Sequence, residues 1–208
     1  MKVLLVNGSS HLHGTTMQAI SEIVKVLEEQ NVETEIIQTG SKPISDCLGC
    51  GGCRREGECI LKEDGVNEFV KKAKEADGFV FATPVYYAHP SGRILSFLDR
   101  AFFSASGDVF AHKPAAAVAC ARRAGTSTSL DVLQKYFNIA GMPMVGSTYW
   151  GNVFGANAND AMQDLEGMQT MRNLALEMVW MMRCFQLGKD NGIEPPAFEK
   201  GAHTNFIR

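Results

Sequence analysis

The 208-residue sequence has no hydrophobic run near the roughly 20 residues a membrane helix needs. It also has no excess of one charge. Its 20 Lys and Arg face 23 Asp and Glu, a formal net charge of −3. That balance leaves no electrostatic footprint for nucleic acid or for an acidic membrane surface. Met1-Lys2-Val3-Leu4-Leu5-Val6-Asn7 is too short an apolar start for a signal peptide, so a cytoplasmic protein is expected. Low-complexity segments and internal repeats are lacking. At 45% hydrophobic and 21% charged residues, disorder is excluded. The length suits one domain with its own core.

Strands and helices alternate along the chain. Lys2 to Asn7 is an aliphatic run closed by Gly8, expected as a buried strand. A polar loop leads to a helix with Ile20, Ile23, Val24 and Leu27 on one face, and Thr15 with Gln18 fits a capping box. Glu33 to Thr39, Phe79 to Thr83, Ala115 to Ala121 and Met142 to Thr148 are four further strands. Pro84 is expected to end the third. Helices follow near Asp64, after Gly92, through Leu130 to Phe137, and over Asp160 to Leu187. Such alternation predicts an α/β fold, a doubly wound five-stranded parallel sheet of order 2-1-3-4-5. One domain over 1–187 is expected, with a cysteine-rich loop at 46–60 and a tail over 188–208.

In such a sheet, ligands bind beyond the carboxyl ends of the strands. Three loops are placed there. The first holds Ser9, Ser10, His11, Gly14, Thr15 and Thr16 before a helix, and hydroxyls with a helix N-terminus suit a phosphate dianion. It has neither a GxGxxG turn nor a Walker lysine. The second, Thr83-Pro84-Val85-Tyr86-Tyr87, offers rigid aromatic surface for a planar ring. The third, Arg122-Arg123-Ala124-Gly125, supplies cations and a flexible turn. Each has a plainer reading: a capped helix, tyrosines packed on the next helix, and a solvated basic turn.

Six cysteines are present, and four fall within thirteen residues. Cys47, Cys50, Cys53 and Cys59 form C-x2-C-x2-C-x5-C. This is not the paired-knuckle spacing of structural zinc, and its first three cysteines match a ferredoxin-type run. Glycines 49, 51 and 52 allow the backbone to curl round a cluster. Four thiolates are the complement of a [4Fe–4S] cluster; free thiols and zinc remain alternatives. The loop is expected to emerge at the same carboxyl rim, where the thiols would face the ring site or its partner. Cys120 and Cys184 are expected to be inert buried thiols. His89 follows the tyrosines, His11 and His13 lie in the first loop, and His112 and His203 are ordinary surface residues; none has an acid at triad spacing.

Gly8-Ser9-Ser10-His11 with Gly14-Thr15-Thr16 resembles the phosphate loop of flavodoxin-like NAD(P)H-dependent FMN reductases. Thr83-Pro84-Val85-Tyr86-Tyr87, Ser91-Gly92 and Phe97-Leu98-Asp99-Arg100 resemble their ring loop and following helix. The cysteine segment is similar to that of the iron–sulfur flavoprotein branch, and the likeness runs through Tyr149-Trp150 and Glu166 to Arg172. His11 and Thr15 stand where the family often has Arg and Asn. The resemblance implies FMN held by Ser9, His11, Gly14, Thr15, Thr16, Pro84, Val85, Tyr86, Tyr87, Arg122, Arg123 and Gly125. It implies NAD(P)H as donor and a quinone, nitro, azo or other small acceptor. The alternative is an electron-transfer module linking a ferredoxin-like partner to FMN through a [4Fe–4S] cluster on Cys47, Cys50, Cys53 and Cys59. Met171, Leu174, Met178, Met181 and Phe185 form one apolar stripe, and Leu176, Val179 and Trp180 a second. A helix apolar on two sides predicts a homodimer or homotetramer.

Overall fold

Strand β1 (Lys2–Asn7) is flanked on both sides by partners and both its faces are covered, which is why its sequence is aliphatic without alternation. In this computed structural model, which describes residues 1–105, 108–199, 201–202 and 204, the chain continues through α1 (Thr15–Glu29), β2 (Glu33–Gln38), α2 (Gly52–Glu56), α3 (Val66–Ala73), β3 (Gly78–Tyr86), β4 (His89–Pro90) and α4 (Gly92–Ser104). Then come β5 (Ala115–Ala121), α5 (Thr126–Ile139), β6 (Asn152–Phe154), α6 (Ala158–Gln163) and α7 (Leu165–Asp190).

The main strands pair in parallel in the order β2-β1-β3-β5-β6. With β4 set aside as a hairpin strand on β3, this is the expected 2-1-3-4-5 order. Successive side chains of a strand point to opposite faces. So Val3, Leu5 and Val80 pack with Ile20, Ile23 and Leu27 of α1 and with Met171, Leu174 and Met178 of α7. Leu4, Val6, Phe79 and Phe81 pack with Phe69 of α3, Ile94 and Phe97 of α4, and Leu133 and Phe137 of α5. The second face is aromatic: Phe69 lies 5.1 Å from Phe97 and 6.1 Å from Phe110, centroid to centroid.

Several expectations are corrected. The strand expected over Met142–Thr148 is only a bridge of Met144 to Ala115. The chain then leaves the sheet, with Ser147 Oγ donating to Thr170 O and Asn173 Nδ2 to Thr148 Oγ1. It returns at Gly151, where a β-carbon would lie 2.3 Å from Ala117 O, and β6 pairs with Ala119–Ala121. The single helix over Asp160–Leu187 is broken at Asp164. Its carboxylate accepts from Gly167 N at 2.9 Å and from Phe154 N at 2.7 Å, so it caps α7 and anchors β6 at once. Thr15 does not cap α1: the N-cap is Gly14, without a side-chain bond. Pro84 does not end the third strand, because its missing N–H falls in a register that still admits Cys120 opposite it.

Of the apolar stripes on α7, Met171, Leu174 and Met178 are buried, but so are Val179 and Met182, while Phe185 is exposed. At about 100° per residue the buried face drifts, and α7 outruns the sheet. Leu176, Trp180 and Leu187 share the outward face. Cys184 is exposed, not buried. Beyond Asp190, Phe198 stacks on His112 at 4.8 Å. His203 lies outside the described residues. No described helix is long and apolar enough to cross a membrane.

Candidate functional site

A cavity of about 780 Å³ opens at the carboxyl rim of the sheet. Its walls are the loop before α1, the end of β3, the end of β5 and the loop after β6. The first loop is held from beneath. Ser9 N donates to Asn7 Oδ1 at 3.0 Å, His11 N to Ser9 Oγ at 3.1 Å, and Gln38 Nε2 to Ser9 O at 2.6 Å. Gly8 has no room for a side chain, since a β-carbon would sit 2.7 Å from Ile94 Cβ. Because Gly14 brings no side-chain cap, the first N–H groups of α1 are left to the cavity that Thr15 and Thr16 line. Thr15 Oγ1 donates to Gly155 O at 3.2 Å, tying this loop to the one after β6.

The wall at the end of β3 is a hairpin. Val85 and Tyr86 pair with Pro90 and His89, and Tyr87 and Ala88 turn the chain with φ of 51° and 58°. Left-handed backbone at two residues with side chains is strained, and it persists only when neighbours hold it. Two contacts do so. Ser91 Oγ donates to Gly8 O at 2.8 Å while Ser91 N donates to Thr83 Oγ1 at 3.0 Å. From the other side Gly125, at φ 92°, lies so close that a β-carbon there would meet Ala88 Cα at 2.5 Å.

Ser9, His11, Gly14, Thr15, Thr16, Pro84, Val85, Tyr86 and Arg122 therefore line one cavity. Tyr87, Arg123 and Gly125 do not. Tyr87 is fully exposed at the hairpin tip, Arg123 points to solvent, and Gly125 shapes the hairpin from behind. Gly155, Ala156, Asn157 and Ala158 also line the cavity and were not anticipated. Asn157 caps α6 by accepting from Asn159 N and Asp160 N, and an Asn before a helical run was a readable signal. Cys120 forms part of the floor; burial pushes its thiol up to about 12.

The four-cysteine loop builds a second cavity. Cys47, Cys50, Cys53 and Cys59 all line it, walled by Leu48, Ile60, Leu61, Phe103 and Arg100. Gly49 and Gly51 have φ of 60° and 67°, and a β-carbon on Gly52 would lie 2.6 Å from Ile60 Cγ2. These glycines let the loop curl over its own thiols. Cys59 is the most firmly held. Its backbone exchanges two bonds with Asn67, at 3.0 and 2.8 Å, and its sulfur accepts from Arg100 Nε at 3.3 Å. In a tetrahedral zinc shell with bonds of about 2.3 Å the sulfurs sit about 3.8 Å apart. Among the described residues no three His, Cys, Asp or Glu side chains are grouped for a single ion. The four cysteines nonetheless share one apolar cavity.

The thiols do not face the ring site of their own chain. Arg93, in the first turn of α4 at the rim, donates to Ser41 O and Lys42 O. The thiol cavity lies beside Arg100, Phe103 and Ser104 at the other end of that helix. Ten residues of helix separate the two levels by about 15 Å. The loop leaves the rim and runs down α4 before its cysteines gather.

The NADPH-dependent FMN reductase family model matches residues 1–156. An iron–sulfur flavoprotein of Methanocaldococcus jannaschii is 32% identical over 88% of this chain and 98% of its own length. The chain belongs to the NADPH-dependent FMN reductase family, within its iron–sulfur flavoproteins. Members of this family are flavin-dependent oxidoreductases. The solved structure of RosB with a bound 8-demethyl-8-formylriboflavin-5'-phosphate intermediate is similar in fold, with a TM-score of 0.69 at 17% identity, covering 100% of this chain and 94% of that one. A flavodoxin from the domain Archaea gives a TM-score of 0.58 at 14% identity, covering 88% and 99%. The fold is flavodoxin-like.

Proposed function

We propose that this chain is a two-centre electron-transfer flavoprotein, with FMN in the rim cavity and a [4Fe–4S] cluster in the four-thiol cavity. The observation that carries the reading is that all four cysteines of C-x2-C-x2-C-x5-C line one cavity distinct from the flavin cavity. The name of the relative in Methanocaldococcus jannaschii supports it.

The residues present fit both groups. A cavity of about 780 Å³ lies within the usual range for cofactor sites. Thr15, Thr16 and the open N-terminus of α1 would hold the FMN phosphate, with Ser9 shaping the loop and His11 beside it. Pro84, Val85 and Tyr86 would flank the ring, and Arg122 would place a cation at its edge. Cys47, Cys50, Cys53 and Cys59 would each ligate one iron of the cluster. When bound, FMN supplies two-electron exchange with a hydride donor and one-electron exchange with a cluster. The chain would orient the flavin, leave Tyr86 half exposed beside it for a second planar substrate, and set the thiols beside Leu48, Ile60 and Phe103 with Cys50 open to solvent.

The electron donor is proposed to be a ferredoxin-like carrier. A second reading, NAD(P)H as donor and a quinone, nitro or azo compound as acceptor, is favoured by the family model. Anaerobically purified protein separates them. Rapid bleaching of the flavin by reduced ferredoxin but not by NADH or NADPH supports the first, and the reverse supports the second. A homodimer or homotetramer is proposed through Leu176, Trp180 and Leu187, exposed on one face of α7. Trp180→Asp is expected to lower the sedimenting mass; an unchanged mass contradicts that interface.

A further inference from the structure

Arg100 is the largest fully buried side chain among the described residues, at 1% exposure, and it lies outside the flavin cavity. A guanidinium removed from water must be paired and fully hydrogen-bonded. Here Nη1 binds the Asp64 carboxylate and Ser45 O, Nη2 donates to Leu61 O at 2.7 Å, and Nε donates to Cys59 Sγ at 3.3 Å. A guanidinium does not give up its proton in a protein, and the Asp64 carboxylate is bound directly to it. Arg100 therefore stays a cation.

A loop pin needs the carboxylate and the two carbonyls. It does not need a nitrogen aimed at a cysteine sulfur. A guanidinium has no lone pair to accept with, so the Cys59 sulfur is the acceptor. Among the described residues none of the other three cysteines has a cationic donor on its sulfur; Cys53 Sγ donates to Phe103 O at 3.8 Å.

We infer that Arg100 sets the reduction potential of the iron–sulfur cluster through its hydrogen bond to Cys59. The inference rests on the reading that the four-thiol cavity holds a [4Fe–4S] cluster. Taking up one electron from a one-electron carrier adds one negative charge to the cluster and its thiolates, with no proton required. A buried cation bonded to a ligand sulfur stabilises that added charge and raises the potential. Asp64, bound to Nη1 of the same guanidinium, opposes it, so the two residues form a push–pull pair.

The test compares wild type, Arg100→Gln, Arg100→Lys and Asp64→Asn, all purified anaerobically. Iron is counted, and the cluster potential is read by redox titration followed by electron paramagnetic resonance. The FMN potential of the same sample is the internal reference. The expected results are a lower cluster potential in Arg100→Gln, a partial return in Arg100→Lys, a higher one in Asp64→Asn, and an unmoved FMN potential. Opposite shifts from the two sides of one ion pair are not what a loosened loop produces. If Arg100→Gln takes up no iron, the Lys and Asn variants decide by the same signs. Unchanged cluster potentials, or shifts in one direction for both partners, overturn the inference while the cluster stands. A wild type that takes up no iron overturns the cluster reading, and this inference with it.

Discussion

The two cavities are built by different means. The rim cavity is walled by the ends of β1, β3, β5 and β6, so the whole sheet positions it. Its loops are cross-tied by Ser91 to Gly8, Thr15 to Gly155 and Gln38 to Ser9. The thiol cavity is formed by an irregular segment with one short helix, α2, and little core of its own. It is fastened to the fold through Arg100 and Asn67. The comparison teaches that the rim cavity belongs to the fold, while the thiol cavity belongs to a loop that one buried cation fastens. Damage to one should therefore spare the other.

Replacing one thiol is the strongest way to break that independence. Cys50→Ser is expected to lose all its iron and keep one FMN per chain, measured by iron assay and flavin absorbance on the same anaerobic sample. The next effect comes from Gly125→Ala. Its β-carbon would meet Ala88 Cα at 2.5 Å, at a φ of 92°. A strained position of this kind costs about 1–3 kcal/mol. A lower melting temperature and a rise of about tenfold in the FMN dissociation constant are expected, with iron content unchanged. Displacement of iron by this change would show that the hairpin and the cysteine loop are coupled.

Thr15→Val removes the bond to Gly155 O and a hydroxyl from the cavity wall proposed to hold the phosphate. A hydrogen bond contributes about 1 kcal/mol, so FMN binding should weaken about fivefold in a fluorescence titration. An effect of similar size is a pH dependence at the cavity floor. Burial raises the Cys120 thiol from 9.0 to about 12. Below pH 9 the thiol is neutral in both folded and unfolded chains. Between about 9 and 12 the unfolded chain gives up the proton that the folded chain keeps, so stability falls as pH rises. In urea unfolding at pH 7 and pH 10, Cys120→Ala should lose less stability between the two than wild type.

The order of the sheet was legible because short aliphatic runs alternating with amphipathic helices leave few topologies. The loops before α1, after β3 and after β5 were legible for the same reason: the fold decides which loops meet. The loop after β6 was missed, because Met142 to Val145 looks like a strand and pairs at Met144 alone. What moves the strand to Asn152–Phe154 is a close approach at Gly151 and the double bonding of Asp164, neither of which a local pattern reveals. The hairpin at Tyr87 and Ala88 was hidden because neither residue favours a positive φ. The place of the cysteine loop was hidden too. Spacing shows that four thiols gather, but Arg93 and Arg100, a helix away in sequence, decide that they do so down α4 and not at the rim.

The central claim is that one chain carries two separate redox sites. Native mass spectrometry of the anaerobically purified wild type tests it most directly. The account predicts chains carrying FMN and a four-iron, four-sulfide mass together, with the cluster mass alone lost in Cys50→Ser. Chains that carry a single zinc in place of the cluster, or a Cys50→Ser protein that loses FMN along with its iron, would contradict it.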